Sequence, residues 1–447
     1  MRRALAAASL AVMCALPAAA QQPQHLTLDE ALRIARENNP EFRRTANDLE
    51  LEENRIRSAW GAFLPQVSSS MSVGGNRSTA ITGINDFGEP VNLPEARTSR
   101  GSSISQSIGA NVTLFDGGAS LRNLWARRAG YTGVEAQIDA TTVTLEANVA
   151  RGYYRALQTT RLIALEERLL ASARERLSRT EEMLRIVPTT TQVDVLGARA
   201  DVASSEQSLE RARGEADKAR LALAVQLGMQ PNTSITVDSV LPAIFDPREL
   251  DEARLVATAL ARHPLIRSRE AQLRAAQHGV SAARGRRLPR IGANAGYSRG
   301  MSLPNYSAFR ELDPQNYSFS FGLSLSLPLF SQFQTAEAIG SAEAAAKDAG
   351  FDVAAARLAV ERDVRQALID LVNAHRSLQL AELQVDLNRQ RQDLTLEQYR
   401  NGSRSFLDLQ NVINQAAQAE RQVIEARFAF INARTTLEER LGFRLEA

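Results

Sequence analysis

The feature that most constrains this chain is that it repeats itself. Asn38-Asn39-Pro40 and Arg262-His263-Pro264 each interrupt a helical pattern, and at equal spacing beyond them stand Leu64-Pro65 and Leu288-Pro289. Leu114-Phe115 then answers Leu329-Phe330, Asp194 answers Asp408, and Leu227-Gly228 answers Leu441-Gly442. The second copy is shorter between its Leu-Pro and Leu-Phe pairs, so the missing residues fall in a loop there. Such a sequence is expected to fold as two copies of one supersecondary unit, the first over residues 21–245 and the second over 246–447.

Within each copy the hydrophobic period switches from helical to alternating and back. After Asn316 the odd positions Tyr317, Phe319, Phe321, Leu323, Leu325, Leu327 and Leu329 are apolar, and the even positions Ser318, Ser320, Gly322, Ser324, Ser326 and Pro328 are not. That is the period of a strand with one apolar face. Weaker alternation marks Val67, Met71 and Val73, then Ile104, Ile108, Ala110, Val112 and Leu114, and Ile291, Ala293, Ala295 and Tyr297. Each copy is thus expected to carry two strands of about ten residues, the length and pattern of a transmembrane β-strand. A soluble sandwich is the competing reading, but its solvent face would carry more charge than these serine and glycine rows do.

The remainder reads as helix. Thr27 and Glu30 have capping-box spacing, and Asp246, Pro247 and Glu249 repeat a start signal in the second copy. A first helical stretch is broken at Pro40 or Pro264. A much longer helix runs from near Gly118 to Val187, or from near Phe333 to Asn401, with Pro188 and Gly402 as stops, and a third helix returns to each Leu-Gly pair. At about 1.5 Å per residue the longest helix would reach roughly 100 Å and needs partners along its length. Leu380, Leu383, Leu387 and Leu394, like Leu162, Leu165 and Leu169, have the spacing of a coiled-coil seam.

The N-terminus runs Met1-Arg2-Arg3, an apolar stretch to Leu16, and Ala18-Ala19-Ala20, the order of a secretory signal peptide over residues 1–20. The only cysteine, Cys14, lies inside that segment, so no disulfide or thiolate metal site is expected after its removal. The whole chain has 53 basic against 51 acidic residues, a balance that gives no reason to propose nucleic acid as a partner. Past Ala20 no apolar run is long enough for a spanning helix. The histidines His25, His263, His278 and His375 are scattered, and no phosphate loop or nucleophile elbow is present, so no catalytic residue, cofactor or metal is expected.

Four strands cannot close a barrel, because the smallest spanning barrels have about eight and an open edge in lipid leaves backbone groups unpaired. The protomer must therefore oligomerise; two copies would supply eight strands and three would supply twelve. Leu28-Asp29-Glu30-Ala31-Leu32 with Asn38-Asn39-Pro40, Leu114-Phe115-Asp116-Gly117-Gly118, and Tyr399-Arg400-Asn401-Gly402 followed by Leu407-Asp408 resemble the recurring motifs of the TolC outer-membrane efflux family. The resemblance implies an α+β protein. In it a homotrimeric, 12-stranded transmembrane β-barrel continues into a long α-helical coiled-coil tunnel across the periplasm, with four strands from each internally duplicated protomer. It also implies a passive outer-membrane channel in lipid, served by a periplasmic adaptor protein and an inner-membrane pump in efflux or type I secretion. A periplasmic coiled-coil adaptor or scaffold is the alternative. The cargo carries no signal in the sequence.

The same resemblance implies site residues. Asp408 falls on the first of two positions where the family narrows its tunnel, and Asn411 occupies the second, where the family has an acid. Tyr399, Arg404 and Asp194 match a latch that holds the closed state. In the first copy Pro188 replaces the glycine of the family's turn.

Overall fold

Asn39 and His263 adopt extended backbone, ψ 120° and 126°, because the residue before a proline is pushed out of the helical region. Each first helical stretch is therefore two helices: α1 (Leu28–Asn38) and α2 (Pro40–Gly61), then α5 (Glu252–Arg262) and α6 (Pro264–Gly285). The remaining elements are β1 (Gln24–Leu26), β2 (Gln66–Ile84), β3 (Pro90–Phe115), α3 (Ala119–Ile186), α4 (Gln192–Gln226), β4 (Ile235–Val237), β5 (Arg290–Pro304), β6 (Asn316–Ser326), α7 (Gln334–Arg400) and α8 (Phe406–Leu441). This computed structural model describes residues 24–84, 86–186, 191–304, 313–314 and 316–445. The expected signal peptide, Cys14, Pro188 and most of the segment after Pro304 lie outside the described residues.

Helix ends follow local chemistry. Thr27 caps α1 by accepting from the Glu30 amide at 3.3 Å. The Asp246 signal marks a single 3-10 turn, Pro247–Glu249, rather than a helix start; α5 begins at Glu252 under a second cap, Asp251. Gly442 closes α8 at φ +78°, the left-handed conformation that glycine adopts without steric penalty.

The chain divides into two units. One comprises Met1–Ala46, Ile138–Pro264 and Arg357–Ala447. Its core gathers Leu26, Leu32, Val149, Tyr153, Leu157, Leu223, Ile235, Phe428 and Ile431. Across that core β1 pairs in parallel with β4, a two-stranded sheet too short to have been expected from the sequence. The Tyr153 hydroxyl reaches the carbonyls of Leu26 at 3.1 Å and Asp238 at 3.2 Å, and burial pushes its phenol pKa up.

Along α7 the buried line is Val364, Leu371, Leu378 and Val385, at heptad spacing. The seam expected at Leu380, Leu383, Leu387 and Leu394 is instead exposed, on a different face of the helix. Two apolar stripes share α7, and the protomer has partners for only one. On α3, Leu165 is buried, and Leu162 and Leu169 partly so.

The other unit, Asn47–Gln137 and Leu265–Ala356, holds a four-stranded antiparallel sheet in the order β2-β3-β5-β6. The strands are longer than expected, 19 residues for β2 and 26 for β3. The stretch from Thr79 to Ser99, beyond the alternation that marks the strands in the sequence, is mostly ladder: Thr79 pairs with Thr98 and Ser78 with Ser99. Its polar residues fall on both faces, so it shows no hydrophobic period although much of the backbone is paired, with a register break between Ala80 and Thr82. The opposite correction applies to β6, whose ladder ends at Ser326 although apolar alternation continues to Leu329. Pro328 has no amide to donate to a ladder.

Beyond β3 the chain turns at Gly117 and Gly118, φ +73° and +80°. A Cβ on Gly117 would lie 2.1 Å from the Gly285 carbonyl oxygen, so the close approach of α6 admits no side chain. The corresponding junction of the second half holds Gln332 and Phe333 in the same left-handed region, φ 48° and 64°.

Candidate functional site

The registered sheet sorts its side chains by chemistry. Ser70 pairs with Ser107, Ser107 with Ser298 and Ser298 with Ser318, a row of four serines on one face. Hydroxyl bonds of 2.8 Å join Ser70 to Ser107 and Ser298 to Ser318. The neighbouring row is Ser68, Gly109, Gly296 and Ser320. Small hydroxyls and glycines leave that face polar, uncharged and shallow, which suits water beside it.

The opposite face is apolar and bare. Val67, Ala110, Ala295 and Phe321 form one row, and Ser69, Ile108, Tyr297 and Phe319 the next. Phe321 is 82 % exposed and Leu325 71 %. Exposed apolar area of this extent marks a surface that meets lipid or another protein. Among the described residues, no strand pairs with the outer edge of β2 or of β6.

The second candidate lies at the helix turns. α7 ends at Arg400, Gly402 turns the chain at φ +73°, and Ser405 starts α8. Ser405 and Asp408 form a reciprocal capping box. The Asp408 Oδ2 accepts from the Ser405 hydroxyl at 2.9 Å and amide at 3.3 Å, and the Asp408 amide donates to the Ser405 hydroxyl at 3.2 Å. These bonds hold the Asp408 pKa below the usual carboxylate range, with a smaller contribution from Arg404. Thr191 and Asp194 repeat the device at the start of α4, with Oδ2 bonds of 2.8 and 2.9 Å. The sequence shows both boxes as Thr-x-x-Asp and Ser-x-x-Asp, a signal the expected gate roles had passed over.

Leu409 and Val412 point into the protein, while Asn411, one turn beyond Asp408, is exposed. Tyr399 is half-buried with its ring 6.2 Å from that of Phe406; burial pushes its phenol up, and nearby Asp194 adds to the shift. Phe406 in turn rests on Gly197, where a Cβ would come within 3.2 Å of its ring. Arg404 donates from Nε to Gln398 Oε1 at 3.2 Å. The fold therefore brings Tyr399 near Asp194, while Arg404 bonds within its own turn.

Two further contacts fix α8 and leave no local trace in sequence. Gln410 donates to Asp201 at 2.6 Å. Farther along, Arg421 grips Glu166 with bonds of 2.6 and 2.9 Å, and Glu166 is only 4 % exposed. Among the described residues no group of acidic, histidine or cysteine side chains is arranged to hold a metal ion.

Comparison with known proteins places these features. The sequence model of the family described as "Outer membrane efflux protein" matches residues 31–229 and 255–443. Protein CyaE of Bordetella pertussis is 27 % identical over 385 residues, 83 % of this chain and 74 % of that protein. Outer membrane efflux protein BepC of Brucella suis is 25 % identical over 430 residues, covering 91 % and 85 %. Among solved structures, one of CusC superposes with TM-score 0.76 at 17 % identity, over 93 % of this chain and 92 % of that one. The outer-membrane channel OprN gives TM-score 0.73 at 21 % identity, over 93 % and 89 %.

Proposed function

Because the chain belongs to the outer membrane efflux protein family, we propose that its four-stranded sheet is one third of a 12-stranded barrel closed by three copies. The protein is an outer-membrane channel of an export system, with a helical part in the periplasm; family and fold are those of channel proteins. The carrying observation is the two-faced sheet with open edges. Its Phe/Leu face suits lipid, its serine rows suit a water-filled lumen, and its unpaired edges are tolerable in a membrane only when a neighbouring copy pairs with them.

The exposed leucines of α7 support the same assembly in the helical part. Matching element orders, helix-helix-strand-strand-long helix-helix in each half, and the two separate family matches support an internal duplication at 21–245 and 246–447. In this reading an adaptor protein and an inner-membrane pump deliver cargo to the periplasmic end.

Asp408 is assigned to the constriction, with Asn411 beside it, and three copies of Asp408 around one axis favour cations in passage. The capping box engages only Oδ2 of Asp408, which leaves the second oxygen for the lumen. Tyr399, Arg404 and Asp194 are assigned to a latch, supported by the placement of Tyr399 beside Asp194.

The test is planar-bilayer conductance of the purified protein together with its native mass. Discrete, cation-preferring channels from a trimer are expected. A monomer without conductance would overturn the reading and leave a periplasmic adaptor or scaffold.

A further inference from the structure

On the apolar face of the sheet, the first rung above the end of β5 is a pair of arginines. β5 ends at Pro304, paired with Gly101, and Arg100 pairs directly with Arg77 on the next rung, where among the described residues β2 and β3 continue as a two-stranded ribbon. Direct opposition places the two Cβ atoms about 5 Å apart on one face, an arrangement that like charges disfavour. Neither guanidinium has a carboxylate partner among the described residues. Two rungs on, along the same face, Thr79 and Thr98 join their hydroxyls at 3.2 Å.

The chain treats its other membrane-side arginine differently. Arg299 lies on the same face, level with Tyr317, and is neutralised by Asp313 at 2.7 Å. Tyr297 and Tyr317 stack there with ring centres 6.5 Å apart, an aromatic mark of the membrane–water boundary. Arg77 and Arg100 stand beyond that boundary, with no neutralising carboxylate among the described residues.

We propose that Arg77 and Arg100, with Thr79 and Thr98, bind a phosphate group carried by a glycolipid of the outer leaflet. Two guanidinium forks and two hydroxyls on one face match the oxygens of a phosphate, and a bound dianion removes the repulsion between the arginines. The height fits. Leu303, the last outward apolar residue of β5, pairs with Ser102, so Arg100 lies two residues farther on. That is about 7 Å along the strand, or about 5 Å along the membrane normal at a tilt of 35–45°, which is the headgroup layer rather than hydrocarbon. The inference rests on the barrel reading, which supplies the membrane on this face.

The experiment compares the full-length wild type with Arg77→Gln/Arg100→Gln and with Arg77→Glu, which replaces repulsion by an ion pair across the rung. Native mass spectrometry and titration with purified lipopolysaccharide, the same glycolipid stripped of phosphate, and inorganic phosphate read binding. Bilayer conductance of each protein is measured in parallel. A tenfold or greater loss of lipopolysaccharide binding in both variants, matched by equally weak binding of stripped glycolipid to wild type, is the expected result. Inorganic phosphate competing at low millimolar concentration would assign the same site to free phosphate. Equal affinity of wild type and both variants for intact lipopolysaccharide overturns the proposal even where all three form channels. Failure of the wild type itself to form channels overturns the barrel reading instead.

Discussion

At the scale of single residues, Asp408 caps α8, and substitution separates that cap from the constriction role proposed for it. Asp408→Asn keeps a side-chain acceptor for the Ser405 cap and removes the charge, whereas Asp408→Ala removes both. Reversal potentials in a salt gradient are expected to show reduced cation preference in both variants, with the melting temperature lowered further in the alanine variant than in the asparagine one. The sign with pH follows from the depressed pKa of Asp408. The cap's stabilisation is present above the ordinary carboxylate range and is lost as pH falls through the folded-state value, taking the ring of charge with it. Cation preference should therefore persist below the pH at which an ordinary aspartate takes up its proton and fade only in stronger acid. These cap residues are legible from three-residue spacing alone. The buried Glu166–Arg421 pair is not, because its partners lie 255 positions apart and neither carries a local pattern. Glu166→Ala strips a half-buried guanidinium of its carboxylate and should lower stability by about 1.5 kcal/mol in denaturant titration, while Glu166→Leu with Arg421→Met should restore much of it.

At the scale of elements, helices were readable nearly to their ends because proline, glycine and capping residues punctuate them. Strand lengths were not, since β2 and β3 continue through a polar ribbon without period and β6 stops short of its apolar pattern at Pro328. The two strand-to-helix junctions make a matched experiment. Gly117→Ala forces a Cβ against the Gly285 carbonyl and should cost more than about 2 kcal/mol. Gln332→Gly relieves a left-handed non-glycine residue and should stabilise by about 1 kcal/mol. Guanidinium unfolding midpoints moving in the same direction for both would refute this assignment of strain. The leucines of α7 show a further limit of sequence patterns: heptad spacing identified a stripe that needs a partner, but not which chain supplies it. Leu383→Asp with Leu387→Asp is expected to leave the helical circular dichroism of the protomer intact and to abolish the trimer on native electrophoresis. Leu371→Ala, on the seam inside the protomer, should instead lower protomer stability by about 3 kcal/mol.

At the scale of the whole molecule, neither surface that needs covering is satisfied within one chain. The sheet is open at β2 and β6, and a lipid environment does not tolerate unpaired backbone. In the proposed barrel, fold and assembly therefore form one equilibrium, with stability dependent on protomer concentration. That link is testable at the β6 edge, where successive amides point alternately toward β5 and away from it. Of Ser320→Pro and Phe321→Pro, one removes a bond inside the protomer's own ladder and the other removes only a donor from the free edge. If a neighbouring copy closes the barrel there, both variants should fail to form trimers and channels, yet one of the two should keep the monomer's thermal stability. Leu329→Pro, beyond the end of the ladder, should assemble normally. Trimers with wild-type conductance from both ladder variants would mean that β6 meets no partner strand, and closure of the membrane sheet would have to be sought at another edge.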